Sequence, residues 1–229
     1  MEKDSHKTMV ANAVHFGHRT HKWDPRMKKY LYGEKNGIHI FNLEKTEKML
    51  AKALAFVGKV VAEGKIVLFV STKPQAISLV EKAAKECGMP YVVSRWIPGF
   101  VTNFSTIKKR IKYLKDLKEQ EASGEFEKYT KKEASKLKKT IDKLEISLGG
   151  VQELTKKPDA IFVVDVVKDK IVVEEANKSG IPVVGIVDSN SNPNPVDYPV
   201  PGNDDAVKSI SFFVGQVKET VERSRKAKK

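Results

Sequence analysis

The sequence has a single cysteine and no long apolar run, and each absence removes a class of protein. Cys87 is the only cysteine among 229 residues, which excludes an internal disulfide and every zinc site built from several cysteines. No stretch reaches the ~18–20 apolar residues that a membrane-spanning helix requires. The N-terminal Met-Glu-Lys-Asp-Ser-His leads into no apolar run, so we expect no secretory signal. These features predict a protein of the cytosol with no membrane partner.

Glycine-rich phosphate-binding motifs are also missing. The predicted strand at 65–70 leads into Ser71-Thr72-Lys73-Pro74, where a dinucleotide-binding fingerprint would need glycines. Neither a Gly-x-x-x-x-Gly-Lys-Ser/Thr loop nor a Gly-x-Ser-x-Gly elbow occurs in the chain. These absences count against the commonest enzymes of this fold but not against every enzyme, and we expect that the protein is not an enzyme. The alternative is a metal-dependent α/β enzyme acting on a phosphorylated metabolite, with Asp188, Asp204 and Asp205 holding magnesium.

Positive charge is what the sequence has in excess. It contains 42 lysine and arginine residues against 29 aspartate and glutamate residues, a net charge of +13. Because such an excess repels itself in a free monomer, a polyanionic partner would relieve the repulsion. Nucleic acid is the commonest such partner, and an anionic membrane surface is another. The alternative is that the protein is a basic soluble enzyme with no polyanionic partner.

Short apolar runs alternate with amphipathic segments over most of the chain. The segments with apolar residues three and four apart predict helices, one of them opened by a Thr-x-x-Gln capping box at Thr72. The alternation predicts a doubly wound, flavodoxin-like α/β fold with a parallel sheet. Buried strands are predicted at 65–70, 91–93, 160–164 and 183–187, with a shorter one near 38–41.

Two stretches break this rhythm. Residues 104–148 show only two charged helical segments with a narrow apolar seam, which predicts an inserted antiparallel coiled-coil hairpin. Two ordinary helices lying on the sheet are the alternative. The proline- and asparagine-rich segment 188–202 predicts an irregular surface loop. We divide the chain into a sheet domain, a hairpin and a basic tail that we expect to fray: 1–103 with 149–223, 104–148, and 224–229.

Acidic residues follow several of the predicted strands. Asp165, Asp188, Asp204 and Asp205 should meet at one edge, because the carboxyl ends of parallel strands lie together. They suit the caps of turns and helices, and three of them could instead hold a divalent cation. No cofactor is required. If a Mg or Zn ion binds, its predicted ligands are His18, Asp188 and Asp204.

Two irregular segments interleave cations with aromatic residues. They are HRTHKWDPRMKKY from His18, and SRWIPGFVTN from Ser94, which continues to a Lys-Lys-Arg run. Cations neutralise phosphates, and aromatic rings stack on unpaired bases, although Trp96 equally suits a core position. The predicted RNA-binding residues are His15, His18, Arg19, Lys22, Trp23, Arg26, Lys28, Lys29, Lys73, Arg95, Trp96, Asn103, Lys108, Arg110 and Lys112.

Eight blocks in a fixed order carry a family resemblance. They are AVHFGHRTHKWDPRM from Ala13, NLEKT from Asn42, LFVSTK from Leu68, SRWIPGFVTN from Ser94, KLEISLGG from Lys143, PDAIFVVD from Pro158, GIPVVGIVDSNSNP from Gly180 and PGNDDA from Pro201. In these blocks the chain resembles bacterial small-subunit ribosomal protein two over nearly its whole length. Ser71 and Pro98 stand where glycine is usual in that family.

The resemblance implies a structural role in translation. It implies a flavodoxin-like sheet domain with an inserted helical hairpin, placed on the solvent side of the small ribosomal subunit between head and body. The implied partners are 16S ribosomal RNA and neighbouring small-subunit proteins, including the mRNA-binding ribosomal protein one, which family members help to dock. The implied location is the cytoplasm, with no small-molecule substrate.

Overall fold

The first part of the chain forms a helix and a small antiparallel sheet. The computed structural model describes residues 2–226, with side chains from residue 6 onwards. Helix α1 (Glu2–Ala11) precedes strands β1 (Phe16–Arg19), β2 (Leu31–Lys35) and β3 (Ile38–Phe41), which pair in the order β1-β3-β2. The strand predicted near 38–41 is therefore present, but the expectation that it joins the parallel sheet is wrong. An Asn36-Gly37 turn with φ of 54° and 72° joins β2 to β3 as an antiparallel hairpin.

The parallel sheet predicted from the apolar runs is present with five strands. All neighbouring pairs are parallel, in the order β5-β4-β6-β7-β8. Renumbered within this sheet alone, the order is 2-1-3-4-5, which is that of flavodoxin-like proteins and confirms the predicted fold class. The strands are β4 (Val67–Val70), β5 (Tyr91–Val92), β6 (Ala160–Val163), β7 (Val183–Val187) and β8 (Tyr198–Pro201).

Strand β8 corrects the prediction that residues 188–202 have no regular structure. It pairs in parallel with β7, with Tyr198 opposite Val184 and Pro201 opposite Val187. Two of its four residues are prolines, which cannot donate a hydrogen bond to a neighbouring strand. They are tolerated because β8 is the last strand of the sheet, where one side needs no partner.

Helices cover both faces of the sheet, because alternate strand residues point to opposite sides. One face, with Val67 and Phe69 of β4, packs against α1, α2, α3 and α7. The opposite face, with Leu68 and Val70, packs against α4, α5 and α6. None of the described helices is both long and apolar enough to cross a bilayer. The helices are α2 (Leu43–Ala62), α3 (Pro74–Cys87), α4 (Phe104–Ala122), α5 (Lys131–Leu148), α6 (Lys170–Lys178) and α7 (Val207–Lys226).

Helices α4 and α5 pack against each other in opposite directions. Ion pairs join Lys118 to Glu145 and Glu121 to Lys138, so residue numbers rise along one helix as they fall along the other. The predicted capping box opens α5, since Thr130 and Glu133 each bond the other's backbone. The seam residues of α4 are buried in the same cluster as the sheet, and they are Ile107, Ile111, Leu114 and Leu117.

Two helix ends differ from the prediction. Thr72 does not cap α3, because its N–H and hydroxyl donate to the Asp169 carboxylate at 2.9 and 2.8 Å. The expectation of a frayed tail is wrong for the residues before 227, which continue α7. There Arg225 donates to the carbonyls of Cys87 and Gly88 at 2.6 and 3.0 Å. Residues 227–229 of the predicted tail lie outside the described residues.

Candidate nucleic-acid interface

The N-terminal segment lies across the edge of the sheet at which doubly wound proteins bind ligands. The N–H of His18 donates to the Ser189 hydroxyl at 2.8 Å, and the N–H of Asp24 donates to the Ser189 carbonyl at 2.7 Å. A Cβ atom at Gly17 would lie only 2.8 Å from the Ser189 hydroxyl oxygen. Glycine at this position leaves the space that lets β1 approach the end of β7 this closely without moving the Ser189 side chain.

Lys73 occupies the point where the strand order reverses, between β4 and β6. Its Nζ lies 3.2 Å from Asp165, 2.6 Å from Asp204 and 2.5 Å from Asp205. Burial lowers the pKa of Lys73, but these carboxylates raise it by more, so the net shift is upward and the amine stays charged. The predicted acidic residues do converge at the strand ends, and the cation that they surround is an internal ammonium group.

This arrangement corrects two predicted roles. The side chain of Lys73 is only 8% exposed and its ammonium already has three carboxylate partners, so its prediction as an RNA-binding residue is wrong. Asp204 is 2% exposed, and among the described residues the carboxylate that lies beside His18 and Asp188 is that of Asp205, whose side chain is 55% exposed. Burial raises the pKa of Asp204, and the charges of Asp188 and Asp165 add to this rise against the opposing effect of Lys73.

His18 bridges two carboxylates beside this cluster. Its Nδ1 lies 3.0 Å from Asp188 and its Nε2 lies 3.3 Å from Asp205. The hydrogen bond that the imidazole donates to the Asp188 carboxylate is the main cause that raises the pKa of His18, and with the charges of the neighbouring carboxylates it outweighs the lowering effect of burial. Ligand atoms of His18, Asp188 and Asp205 lie within 4.8 Å of one another, so Asp205 replaces Asp204 in the predicted metal set.

The aromatic residues of the two basic segments differ in position. Trp96 is 6% exposed, lies 4.7 Å from Phe100 between ring centroids and donates from Nε1 to Glu175 at 3.3 Å. It is a core residue, so its prediction as an RNA-binding residue is wrong. Trp23 is partly exposed, with its ring centroid 5.0 Å from that of His39.

Asn103 and His15, which are also predicted to bind RNA, are less buried than Trp96. Asn103 is exposed, and its Oδ1 accepts hydrogen bonds from the hydroxyls of Ser105 and Thr106 at 3.2 and 3.1 Å. His15 is partly exposed, and burial lowers its pKa. Its Nδ1 has no hydrogen-bond partner among the described residues.

Most cations of the two segments are exposed. Arg26 is partnered, because its Nε and Nη2 donate to Asp24 at 2.9 and 2.7 Å. The others have no carboxylate partner in the part of the chain that the structure describes. Lysines elsewhere do have such partners, as Lys218 of α7 does in Glu86. We call these others the basic face, and they are Arg19, Lys22, Lys28, Lys29, Arg95, Lys108, Arg110 and Lys112.

Both segments are anchored in the same hydrophobic cluster. Met27 and Tyr30 from the first segment and Phe100 and Val101 from the second are buried in the cluster on the α4–α6 side of the sheet. The charged residues that alternate with these anchors are exposed. The structure therefore brings the two segments to one side of the sheet with their cations in solvent.

The fold and this edge define a class: a basic doubly wound α/β protein whose ligand-binding edge is filled by its own side chains and covered by its N-terminal segment. The sequence pattern of the family described as ribosomal protein S2 matches residues 9–224. The chain belongs to the ribosomal protein S2 family.

Curated relatives named small ribosomal subunit protein uS2 agree. The relative from Francisella philomiragia is 50% identical over 215 residues, which are 94% of this chain and 90% of the relative. That from Dehalococcoides mccartyi is 47% identical over 223 residues, or 97% of this chain and 91% of the relative. That from Treponema pallidum is 46% identical over 215 residues, or 94% and 74%.

Family membership establishes a structural protein of the small ribosomal subunit that acts in translation and is not an enzyme. It confirms the resemblance that the eight sequence blocks predict, together with a cytoplasmic location in the ribosome among rRNA and other proteins. The alternative of a metal-dependent enzyme is wrong. Members of the family generally need no cofactor.

Proposed function

We propose that the chain binds 16S ribosomal RNA between the head and the body of the small subunit, through the basic face. The observation that supports this proposal is the group of exposed cations without carboxylate partners among the described residues, all carried by segments anchored on one side of the sheet. Phosphate oxygens of the RNA would accept hydrogen bonds from these cations, as carboxylates do elsewhere in the protein.

On this proposal the protein carries out no reaction and acts by holding RNA helices in position. Its cations reduce the repulsion between phosphates of neighbouring RNA helices, and its rigid core sets their separation. Trp23 offers a partly exposed ring for stacking on an unpaired base. Arg26 contributes less than its neighbours, because Asp24 already neutralises it.

We propose that residues 104–148 act as an inserted unit, with 1–103 and 149–223 as the sheet domain and 224–229 as a basic tail. The antiparallel pairing of α4 with α5 supports this division, since Lys118 pairs with Glu145 and Glu121 with Lys138. Ile107 and Ile111 are buried on the inside, whereas Lys108 and Lys112 are exposed. The first turns of the hairpin would thus carry part of the basic face.

We further propose that the chain contacts neighbouring small-subunit proteins and helps to dock the mRNA-binding ribosomal protein one. A groove of about 320 Å³ lies between α1 and the small antiparallel sheet, and Val10 and Tyr32, which line it, are 51% and 82% exposed. Exposed apolar side chains with a polar rim suit a protein partner. His15 also lines this groove, so its predicted RNA contact competes with a role here.

Sedimentation tests both roles. We expect the protein to travel with the small subunit in a sucrose gradient after a moderate salt wash, because many phosphate contacts hold it there. The variant Tyr32→Ser should stay with the subunit but retain less ribosomal protein one, whereas the control Tyr129→Ser, which changes another exposed tyrosine, should retain it. Recovery of the wild-type protein at the top of the gradient would contradict the proposed function.

A bound ion is a separate proposal, on the corrected ligand set His18, Asp188 and Asp205. Zn²⁺ fits this set better than Mg²⁺, because one ligand is an imidazole nitrogen. Zinc must compete with a proton whose affinity for His18 is raised, so binding should strengthen as the pH rises from about 6 to 8. Calorimetric titration with ZnCl₂ measures this binding. If the variant His18→Gln bound zinc equally well, zinc would not be held by these three residues.

A further inference from the structure

A buried carboxylate from α6 contacts the second basic segment at four points. Glu175 is 8% exposed. Its Oε1 accepts hydrogen bonds from Nε1 of Trp96 at 3.3 Å and from the N–H of Gly99 at 2.6 Å. Its Oε2 accepts from the N–H of Val101 at 3.3 Å and from the hydroxyl of Thr102 at 3.3 Å. All four donors lie within residues 96–102.

This carboxylate depends on the conformation of the segment. Within the described residues no lysine, arginine or histidine forms an ion pair with Glu175, so hydrogen bonds must offset the cost of its burial. Gly99 has a φ of 89°, a conformation that glycine adopts readily. Pro98 has no N–H and is exposed, so its departure from the family pattern removes none of the four contacts.

Arg95 stands between two fixed points. The hydroxyl of Ser94, before it, donates to the carbonyl of Ile146 in α5 at 2.6 Å. Trp96, after it, is held by Glu175. The Arg95 side chain between them is exposed and belongs to the basic face.

We propose that Glu175 is a positioning residue for RNA binding: it fixes residues 96–102 and thereby the direction in which Arg95 meets a phosphate. This inference rests on the proposed function. Glu175 touches no RNA itself and acts through Arg95. The pair of glutamates at 174 and 175 gives no sign of this in the sequence, because only the fold separates the exposed member from the buried one.

Glu175→Gln is the informative substitution because it preserves size. A carboxamide has one accepting and one donating end, so its NH₂ group must face two donors whichever way it turns. One pair of hydrogen bonds is therefore lost. Glu174→Gln is the matched control, since it removes the same charge from the neighbouring exposed residue, which pairs with Lys170 at 3.5 Å.

Binding to a 16S ribosomal RNA transcript, measured by filter binding over a range of KCl concentrations, tests the proposal. We expect Glu175→Gln to bind roughly tenfold more weakly, with a salt slope smaller by about 1, as for the loss of one phosphate contact. Loss of a negative charge alone would strengthen binding, so the sign is diagnostic. The control Glu174→Gln should bind as tightly as wild type or slightly more so.

A double-mutant cycle with Arg95→Ala separates positioning from general support of the fold. In the Arg95→Ala background, Glu175→Gln should cause little further loss, because both changes remove the same contact. Additive losses would overturn the proposal. Hydrogen exchange should also show faster exchange at the amides of Gly99 and Val101 in Glu175→Gln, with that of β6 unchanged.

Two outcomes separate this inference from the proposed function. If wild-type protein shows no salt-dependent binding to the transcript, the proposed function fails. If wild type binds and Glu175→Gln binds equally well, only the positioning role fails. Should Glu175→Gln not fold, Thr102→Val, which removes one donor alone, replaces it in the same cycle with Arg95→Ala.

Discussion

Replacing Lys73 with methionine should lower the free energy of unfolding by about 3–5 kcal/mol, because it removes the cation from a group of buried carboxylates. Methionine preserves most of the side-chain volume, so the loss reports charge and not packing. Asp204 would be left 2% exposed without its partner at 2.6 Å. Asp165, at 3.2 Å from the ammonium, would lose the same partner.

Urea unfolding at pH 7 measures this effect. Lys82→Met is the matched control, since Lys82 lies in the same helix, α3, and is exposed, so its loss should change stability by less than about 0.5 kcal/mol. The difference between wild type and Lys73→Met should shrink as the pH falls, because protonated carboxyl groups no longer need the cation. A loss below about 1 kcal/mol at pH 7 would show that the cluster does not depend on Lys73.

The parallel sheet could be predicted because its strands are buried on both faces. Runs such as Lys65 to Val70 and Ala160 to Val164 are almost continuously apolar, and this pattern can be recognised without knowing which strands pair with them. Strand β8 could not be predicted in the same way, since its prolines are acceptable only at a sheet edge, which is a property of the whole sheet. The β-hairpin of β2 and β3 could have been predicted from Asn36-Gly37, because Asn-Gly is typical of the two-residue turns that join antiparallel strands.

The candidate site was partly predictable for a related reason. The sequence indicates which segments are rich in cations, and eight of the predicted residues form the basic face. It does not indicate which cation turns inward, because burial of Lys73 depends on carboxylates from the ends of β6 and β8, far away in the chain. Trp96 and Glu175 are likewise far apart along the chain, 79 residues from each other, so neither residue indicates its partner in the sequence.

Reversing the charge of Arg19, Lys22 and Lys28 to glutamate should weaken binding to 16S ribosomal RNA by roughly a hundredfold or more at low salt. Each phosphate contact that is lost should reduce the slope of log affinity against log salt by about 0.7–0.9, so three contacts should flatten it by about 2–3. Reversal of Lys108, Arg110 and Lys112 should act in the same way, because both segments are anchored in the same hydrophobic cluster and, on the proposed function, bind the RNA together.

The control is reversal of Lys52, Lys59 and Lys82, which are exposed on α2 and α3, the helices of the opposite face. All three triple variants change the net charge equally, so a response to charge alone would be the same in each. Filter binding to a 16S ribosomal RNA transcript across KCl concentrations is therefore the most direct measurement. We predict flattened slopes for both basic-face variants and a wild-type slope for the control. Equal slopes in all three variants would contradict the proposal that one face of this protein holds the RNA.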